Sequence, residues 1–178
     1  MKIIFTIIKA ELQKFFYSPI AWLILVIFGF QAALYFYDLF EPIYRNLENT
    51  GKQDNLTIQL FLSPTALLTS IPEYIYLYIP ILSMGILSRE ISTGSIKLLF
   101  SSPITTRQIV WGKYLALVAF GLIMILLLVP FIILAYVSID NIELPVLLSG
   151  ILGLFLLICT YAAIGLFVSS ITSYAVVA

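Results

Sequence analysis

The fold is decided by residues 144–168, LPVLLSGILGLFLLICTYAAIGLFV, a stretch without a single charged side chain. A helix that crosses the hydrocarbon core of a bilayer needs about 20 mostly apolar residues. Residues 19–37 and 114–137 also meet this requirement. Residues 71–87 meet it less well, because they include two prolines and one glutamate. The sequence therefore predicts an all-α integral membrane protein with four transmembrane helices.

The composition of the whole chain agrees with this class of protein. Of its 178 residues, 62% are hydrophobic and 10% are charged, whereas soluble domains average about 45–50% and about 25%. The chain has no histidine and one cysteine, which removes the commonest general base and any disulfide framework. Its net charge of zero gives no field that would attract nucleic acid. We therefore expect a protein that is not an enzyme and binds no metal or cofactor itself.

The distribution of charge predicts the orientation in the membrane. Lysine and arginine favour the cytoplasmic side of short loops. Seven of the nine basic residues lie in residues 1–18 and 88–113, and seven of the nine acidic residues lie on the other predicted side. We therefore expect a multi-pass protein of the cell's inner (plasma) membrane, with both termini in the cytoplasm and an outer loop at residues 38–70.

Residues 1–17 have the pattern of an amphipathic helix that lies in the membrane interface before the first span. At 100° per residue, its apolar side chains share one arc, and lysines occupy the neighbouring one. The Ser18-Pro19 pair should end this helix and turn the chain into the bilayer. The alternative is that these residues are only the basic flank of the first span. The apolar arc contains Met1, Ile4, Phe5, Ile8, Leu12, Phe15 and Phe16.

The cytoplasmic loop at residues 88–113 carries the most specific pattern in the chain. Gly94 and Pro103 bracket a run long enough for about two turns of helix, with an apolar face that needs a partner. Thr105 and Gln108 then match a capping box at the start of the next helix. Trp111 and Lys113 are residue types that anchor a helix at the membrane interface. A purely structural helical hairpin would explain the same composition.

The motifs of this loop resemble those of the ABC-2 type transporter permeases. The similar segments are Thr93-Gly94-Ser95-Ile96-Lys97-Leu98-Leu99, Ser102-Pro103-Ile104-Thr105 and Gly112-Lys113-Tyr114, in that order. The stretch Lys14-Phe15-Phe16-Tyr17-Ser18-Pro19-Ile20-Ala21-Trp22 also resembles the family's N-terminal elbow, and Ile79-Pro80-Ile81-Leu82-Ser83-Met84 its second span. These two segments are closest to the subgroup associated with gliding motility.

The resemblance implies a permease subunit of an exporter, with a separate ABC ATPase subunit and a second permease, identical or different, as its partners. ATP and Mg²⁺ would be bound by the ATPase, since this chain has no Gly-x-x-x-x-Gly-Lys-Ser/Thr motif. The resemblance also implies that the loop couples ATP hydrolysis to movement of the spans. The residues that it assigns to this coupling are Glu90, Gly94, Ser95, Ile96, Leu98, Leu99 and Pro103.

The chain departs from the family pattern in two places. Many relatives have paired acidic residues before the glycine motif, whereas this chain has Arg89-Glu90. The family usually has six spans, so we expect a truncated chain or fragment, whose residues 169–178 resemble the loop before a fifth span. A different class of function stays open, namely a non-transporting membrane scaffold that anchors an ATPase in a motility or secretion complex.

Several residues inside the spans favour packing over chemistry. Gln31 is expected to form a hydrogen bond across a helix pair, and Pro80 and Pro130 to kink their helices. Glu73 is expected at the solvated outer boundary, although an ionisable residue in a span can also mark a substrate path. Two pairs with small-xxx-small spacing, Ser149/Gly153 and Gly165/Ser169, favour close helix contact.

Overall fold

A computed structural model describes residues 2–50, 56–64, 66–92, 104–138 and 142–171 of the chain. These residues form eight helices and no strand. The helices are α1 (Lys2–Tyr17), α2 (Pro19–Thr50), α3 (Leu56–Phe61), α4 (Leu67–Ser70), α5 (Pro72–Ser92), α6 (Thr106–Leu126), α7 (Val129–Ser138) and α8 (Leu144–Ile171). Three segments are long and apolar enough to cross a membrane, namely Pro19–Arg45, Thr106–Ser138 and Leu144–Ile171. The fold is therefore the all-helical membrane type that the sequence predicts.

The break between α1 and α2 occurs at Ser18, as the Ser18-Pro19 pair predicts. The Ser18 amide donates to the carbonyl of Phe15 at 2.9 Å. The indole Nε1 of Trp22 donates to the carbonyl of Phe16 at 2.9 Å, and the two rings lie 5.7 Å apart. Carbonyls in the last turn of a helix lack partners within it, so Trp22 ties the end of α1 to the first turn of α2.

Helix α2 does not end where its apolar stretch ends but continues to Thr50. Charged residues begin at Asp38, yet their spacing supports the helix: Glu41 and Arg45 form an i,i+4 ion pair at 2.6 Å. The rings of Phe36, Phe40 and Tyr44 stack in succession, with centroids 5.1 and 5.8 Å apart. The first part of the predicted outer loop is thus helical, because loss of hydrophobicity does not by itself stop a helix.

The third predicted span is built from two helices. Helix α6 begins at Thr106, after the capping box that the sequence predicts at Thr105 and Gln108. The helix is interrupted at Leu127 and Leu128, just before Pro130. Proline has no amide hydrogen and clashes with the preceding turn, so the predicted distortion near Pro130 is confirmed. Helix α7 then continues the same apolar segment.

Small residues allow α8 to pack closely against its neighbours. A Cβ atom on Gly165 would collide with Ser83 of α5, and the Ser169 hydroxyl donates to the carbonyl of Met84 at 3.1 Å. The predicted close contact of the Gly165/Ser169 pair is therefore confirmed. By contrast, Gly153 has no atom within 4 Å of its Cβ position, so the Ser149/Gly153 pair makes no such contact within the described residues.

Helices α2 and α5 are held together by polar side chains in an antiparallel register. The Tyr78 hydroxyl donates to the Gln31 side-chain oxygen, as expected of a packing role for Gln31. One turn further along α2, the hydroxyls of Tyr35 and Tyr74 lie 2.7 Å apart. Residue numbers rise along α2 while those of their partners fall along α5, which establishes that the two helices run in opposite directions.

A glycine substitution tests the contact between α1 and α6. A Cβ atom on Gly112 would lie 2.5 Å from Cγ2 and 2.8 Å from Cβ of Ile7, so one helix must move. We expect Gly112→Ala to destabilise the protein by about 1–3 kcal/mol, measured as a lower thermal unfolding midpoint in detergent. The matched control is Gly153→Ala, which should leave the midpoint unchanged or raise it. Equal shifts for the two variants would contradict the contact.

Candidate functional site

The described residues at the two ends of the predicted cytoplasmic loop come together around one lysine. Glu90 lies two residues before the end of α5, and Lys113 lies in the second turn of α6. The intervening coupling residues of the sequence prediction lie outside the described residues: Gly94, Ser95, Ile96, Leu98, Leu99 and Pro103. Of the predicted coupling set, only Glu90 can therefore be placed.

The Lys113 ammonium is buried and fully hydrogen bonded. Its side chain is 1% exposed. The Nζ atom donates to Oε1 of Glu90 at 2.7 Å, to Oε1 of Glu11 at 2.9 Å and to the carbonyl oxygen of Ile86 at 3.2 Å. An ammonium group has three hydrogens to donate, so all of them are used. This geometry joins α1, α5 and α6 at one atom.

The buried position of Lys113 corrects the expectation that it anchors α6 at the membrane interface. An interfacial anchor extends its charged end to the water, whereas this ammonium faces two carboxylates inside the protein. Trp111, the other predicted anchor, is 55% exposed and packs edge-on against Tyr114. Its anchoring role stays a prediction.

Glu11 completes the site and was not identified from the sequence. It lies on α1, and its side chain is 8% exposed. Its neighbours on the same face are Ile7, Ile8 and Phe15, so a carboxylate here interrupts an apolar arc. This interruption is the signal that could have identified it, because a charge on the buried face of a helix requires a partner.

Lys14 forms the outer edge of the same cluster. Its ammonium lies 2.9 Å from Oε1 of Glu11 and 3.4 Å from Oε1 of Glu90, and its side chain is 62% exposed. Partial burial alone would lower the pKa of Lys14, but the hydrogen bonds and charges of the two glutamates outweigh this effect and raise it above 10.5. Lys14 therefore stays charged at neutral pH. At the alkaline end, the stability that its ion pairs with Glu11 and Glu90 contribute is lost as the pH rises through that raised value.

The four side chains form a neutral network, which we call the lysine–glutamate network (Glu11, Lys14, Glu90 and Lys113). Ion pairs of this kind add little net stability compared with apolar packing, but removing one partner costs about 3–5 kcal/mol. The network thus specifies which arrangement of α1, α5 and α6 is allowed. It acts as a constraint on geometry more than as a source of stability.

One acceptor in the network has no partner among the described residues. Oε2 of Glu90 is buried and makes no hydrogen bond to any described residue, while Oε1 accepts hydrogen bonds from both Lys14 and Lys113. A cavity of about 180 Å³ lies beside the network, at the junction of α1, α2 and α5. It is lined by Glu11, Lys14, Phe15, Ser18, Ile20, Ile81, Leu82, Ile86 and Glu90.

Comparison with known proteins identifies a family over nearly the whole chain. Residues 5–178 match the family described as ABC-2 family transporter protein. This range includes all four residues of the lysine–glutamate network. No curated protein and no solved structure matches the chain.

Removal of the central lysine tests the role of the network. We expect Lys113→Met to destabilise the protein by about 3–5 kcal/mol, because two buried carboxylates lose their shared cation. The free energy of unfolding in mixed micelles measures the effect. Adding Glu11→Gln to Lys113→Met should restore part of the loss, since one uncompensated charge is then removed.

The control for this experiment is Lys9→Met, which removes an exposed lysine of α1 that lies outside the network. It should change the free energy of unfolding by no more than about 0.5 kcal/mol. If Lys113→Met and Lys9→Met have the same effect, or if the two network substitutions are simply additive, the network does not hold the helices as described.

Proposed function

Because the chain belongs to the ABC-2 transporter family and is thus a component of membrane transport, we propose that it is the permease subunit of an exporter driven by ATP. ATP and Mg²⁺ would be bound by a separate ATPase subunit, and a second permease subunit would complete the translocation unit. The same proposal includes a relationship to permeases associated with gliding motility, which the similarity of the elbow and of residues 79–84 supports.

The proposal includes α5 as a fourth span. Its 21 residues would extend about 31 Å, close to the thickness of the hydrocarbon core. Tyr74 contacts α2 at one level of the bundle, while Glu90 contacts Lys14, which precedes α2, at the other. Helix α5 thus runs alongside α2 in the opposite direction and covers a similar distance. It is not among the three most apolar segments because it carries charge at both ends, Glu73 in its first turn and Arg89-Glu90 near its last.

The observation that carries the coupling proposal is the position of the lysine–glutamate network at the base of the cytoplasmic loop. Glu90 precedes the predicted coupling segment, and Lys113 follows it. They pair with each other at 2.7 Å, and both are tied to α1, Lys113 through Glu11 at 2.9 Å and Glu90 through Lys14 at 3.4 Å. A push by an ATPase on residues 94–103 would therefore move the ends of α5 and α6 together with α1. Without this link, the loop could bend while the spans stayed in place.

Labelling of single cysteines tests the four-span orientation. In a Cys159→Ser background, we expect Lys9→Cys and Arg107→Cys to react from the same side of the membrane, and Glu41→Cys from the other. These positions are suitable because the structure places all three outside the hydrophobic core of the helix bundle. In intact cells, an impermeant maleimide should reach only the Glu41→Cys variant. Reaction of Lys9→Cys and Arg107→Cys from opposite sides would show that α5 does not cross.

Reconstitution with an ATPase tests transport and coupling together. The full chain would be co-purified with the ABC ATPase encoded nearest to its gene and inserted into proteoliposomes. We expect ATP, but not a non-hydrolysable analogue, to change the solute or lipid distribution across the membrane, detected by untargeted mass spectrometry. Glu90→Gln should lower this movement per ATP hydrolysed by about fivefold or more, because it weakens the link between loop and spans.

The matched control is Glu41→Gln, which breaks an exposed ion pair with Arg45 at the far end of α2. It should leave coupling unchanged, while Glu90→Asp, which keeps the charge, should retain part of it. Thermal unfolding midpoints would show that each variant is folded. A complex that binds the ATPase but moves nothing would instead favour the scaffold function. Equal coupling in the Glu90→Gln and wild-type complexes would remove the network from the mechanism.

A further inference from the structure

A groove between α6 and α8 lies apart from the lysine–glutamate network. Its volume is about 490 Å³, within the range of about 300–1,000 Å³ that is common for ligand sites in proteins. It lies near the start of α6 and the end of α8, which run antiparallel. Its walls are almost entirely apolar and consist of Val110, Trp111, Tyr114, Ala163, Leu166, Phe167 and Ser170.

Aromatic rings form much of the surface of this groove. Trp111 and Tyr114 meet edge to face, with centroids 5.7 Å apart, and the Tyr114 hydroxyl donates to the carbonyl of Cys159 across the groove floor at 3.3 Å. Trp111 and Phe167 are both more than half exposed. Tryptophan and tyrosine in such positions are typical of the boundary between headgroups and acyl chains. The residue types of the groove thus suit a position at the membrane interface, near one end of α6 and α8.

A positively charged residue of α6 precedes the residues that line the groove. Arg107 is exposed and lies one helical turn before Trp111 and two before Tyr114, on the same face of α6. Among the cations whose side chains the structure describes, Lys14, Arg45 and Lys113 form ion pairs, whereas Arg107 and Lys9 do not. The start of α6 adds the partial positive charge of a helix N-terminus. The end of the groove therefore attracts an anion.

We propose that this groove binds an anionic phospholipid. One acyl chain would lie between α6 and α8 against Trp111, Leu166 and Phe167, and the phosphate would pair with Arg107. The combination of an apolar wall and a nearby cation without an ion pair among the described residues matches an amphiphile with a negatively charged headgroup. A soluble anion would leave the wall unused, and an apolar partner helix would leave Arg107 without a counterion. The site does not depend on the proposed transport function, although its placement in the cytoplasmic leaflet depends on the proposed orientation.

Native mass spectrometry of the full chain tests this site. The detergent-purified protein would be titrated with phosphatidylglycerol and, separately, with phosphatidylcholine that carries the same acyl chains. We expect the first phosphatidylglycerol to bind about fivefold more tightly or better, the contribution of one arginine near the surface. Arg107→Gln should abolish this preference, and Arg107→Lys should retain it. Ala163→Trp, which fills the groove, should weaken the binding of both lipids.

Lys9→Gln is the control, because it removes another exposed, unpaired cation from α1 and should leave the preference intact. Inorganic phosphate should not displace the lipid. Equal binding of the two lipids, an unchanged preference in Arg107→Gln, or displacement by inorganic phosphate would overturn the proposal. It would also be overturned if Ala163→Trp altered the oligomeric mass of the protein and left lipid binding unchanged, since the groove would then be a protein interface. Unfolding midpoints would show that each variant is folded.

Discussion

A buried lysine ammonium must be surrounded by hydrogen-bond acceptors, and helices α1 and α5 supply them for Lys113. One carboxylate comes from α1, another from α5, and a backbone carbonyl from the turn of α5 around Ile86. None of these groups is within 20 residues of Lys113 in the chain. The cost of an unpaired buried charge is several kcal/mol, so the three helices must meet here or the lysine must leave the interior.

This electrostatic requirement is compatible with close packing because glycine lies at the adjoining contact. Gly112 precedes the lysine and allows Ile7 of α1 to approach the backbone of α6. A larger side chain would move α1 away and lengthen the distance from Glu11 to the ammonium. Phe15, one turn further along α1, packs edge to face on Phe120 of α6, with centroids 5.7 Å apart. Steric and electrostatic contacts thus specify the same position of α1 on α6.

The sequence predicts those features that depend on neighbouring residues. The elbow break at Ser18, the capping box at Thr105 and the distortion before Pro130 all follow from local rules, and all are present. The extent of α2 was underestimated, because hydropathy marks the bilayer and not the end of a helix. Lys113 and Glu90 were selected by motif, but their contact and the role of Glu11 depend on helix pairing, which periodicity along one chain does not specify.

The neutrality of the network explains how the cluster can fix three helices without a charge from outside the protein. Two lysines and two glutamates compensate each other, so the cluster needs no charge from a partner to be stable within the protein. Oε1 of Glu90 accepts hydrogen bonds from both lysines, whereas its buried Oε2 has no hydrogen-bond partner among the described residues. An acceptor in this state can gain a donor in a second arrangement of the helices without loss of the first contacts. The proposed coupling requires two such arrangements of similar free energy, and Glu90, which precedes the predicted coupling segment, carries the acceptor that is available for the second.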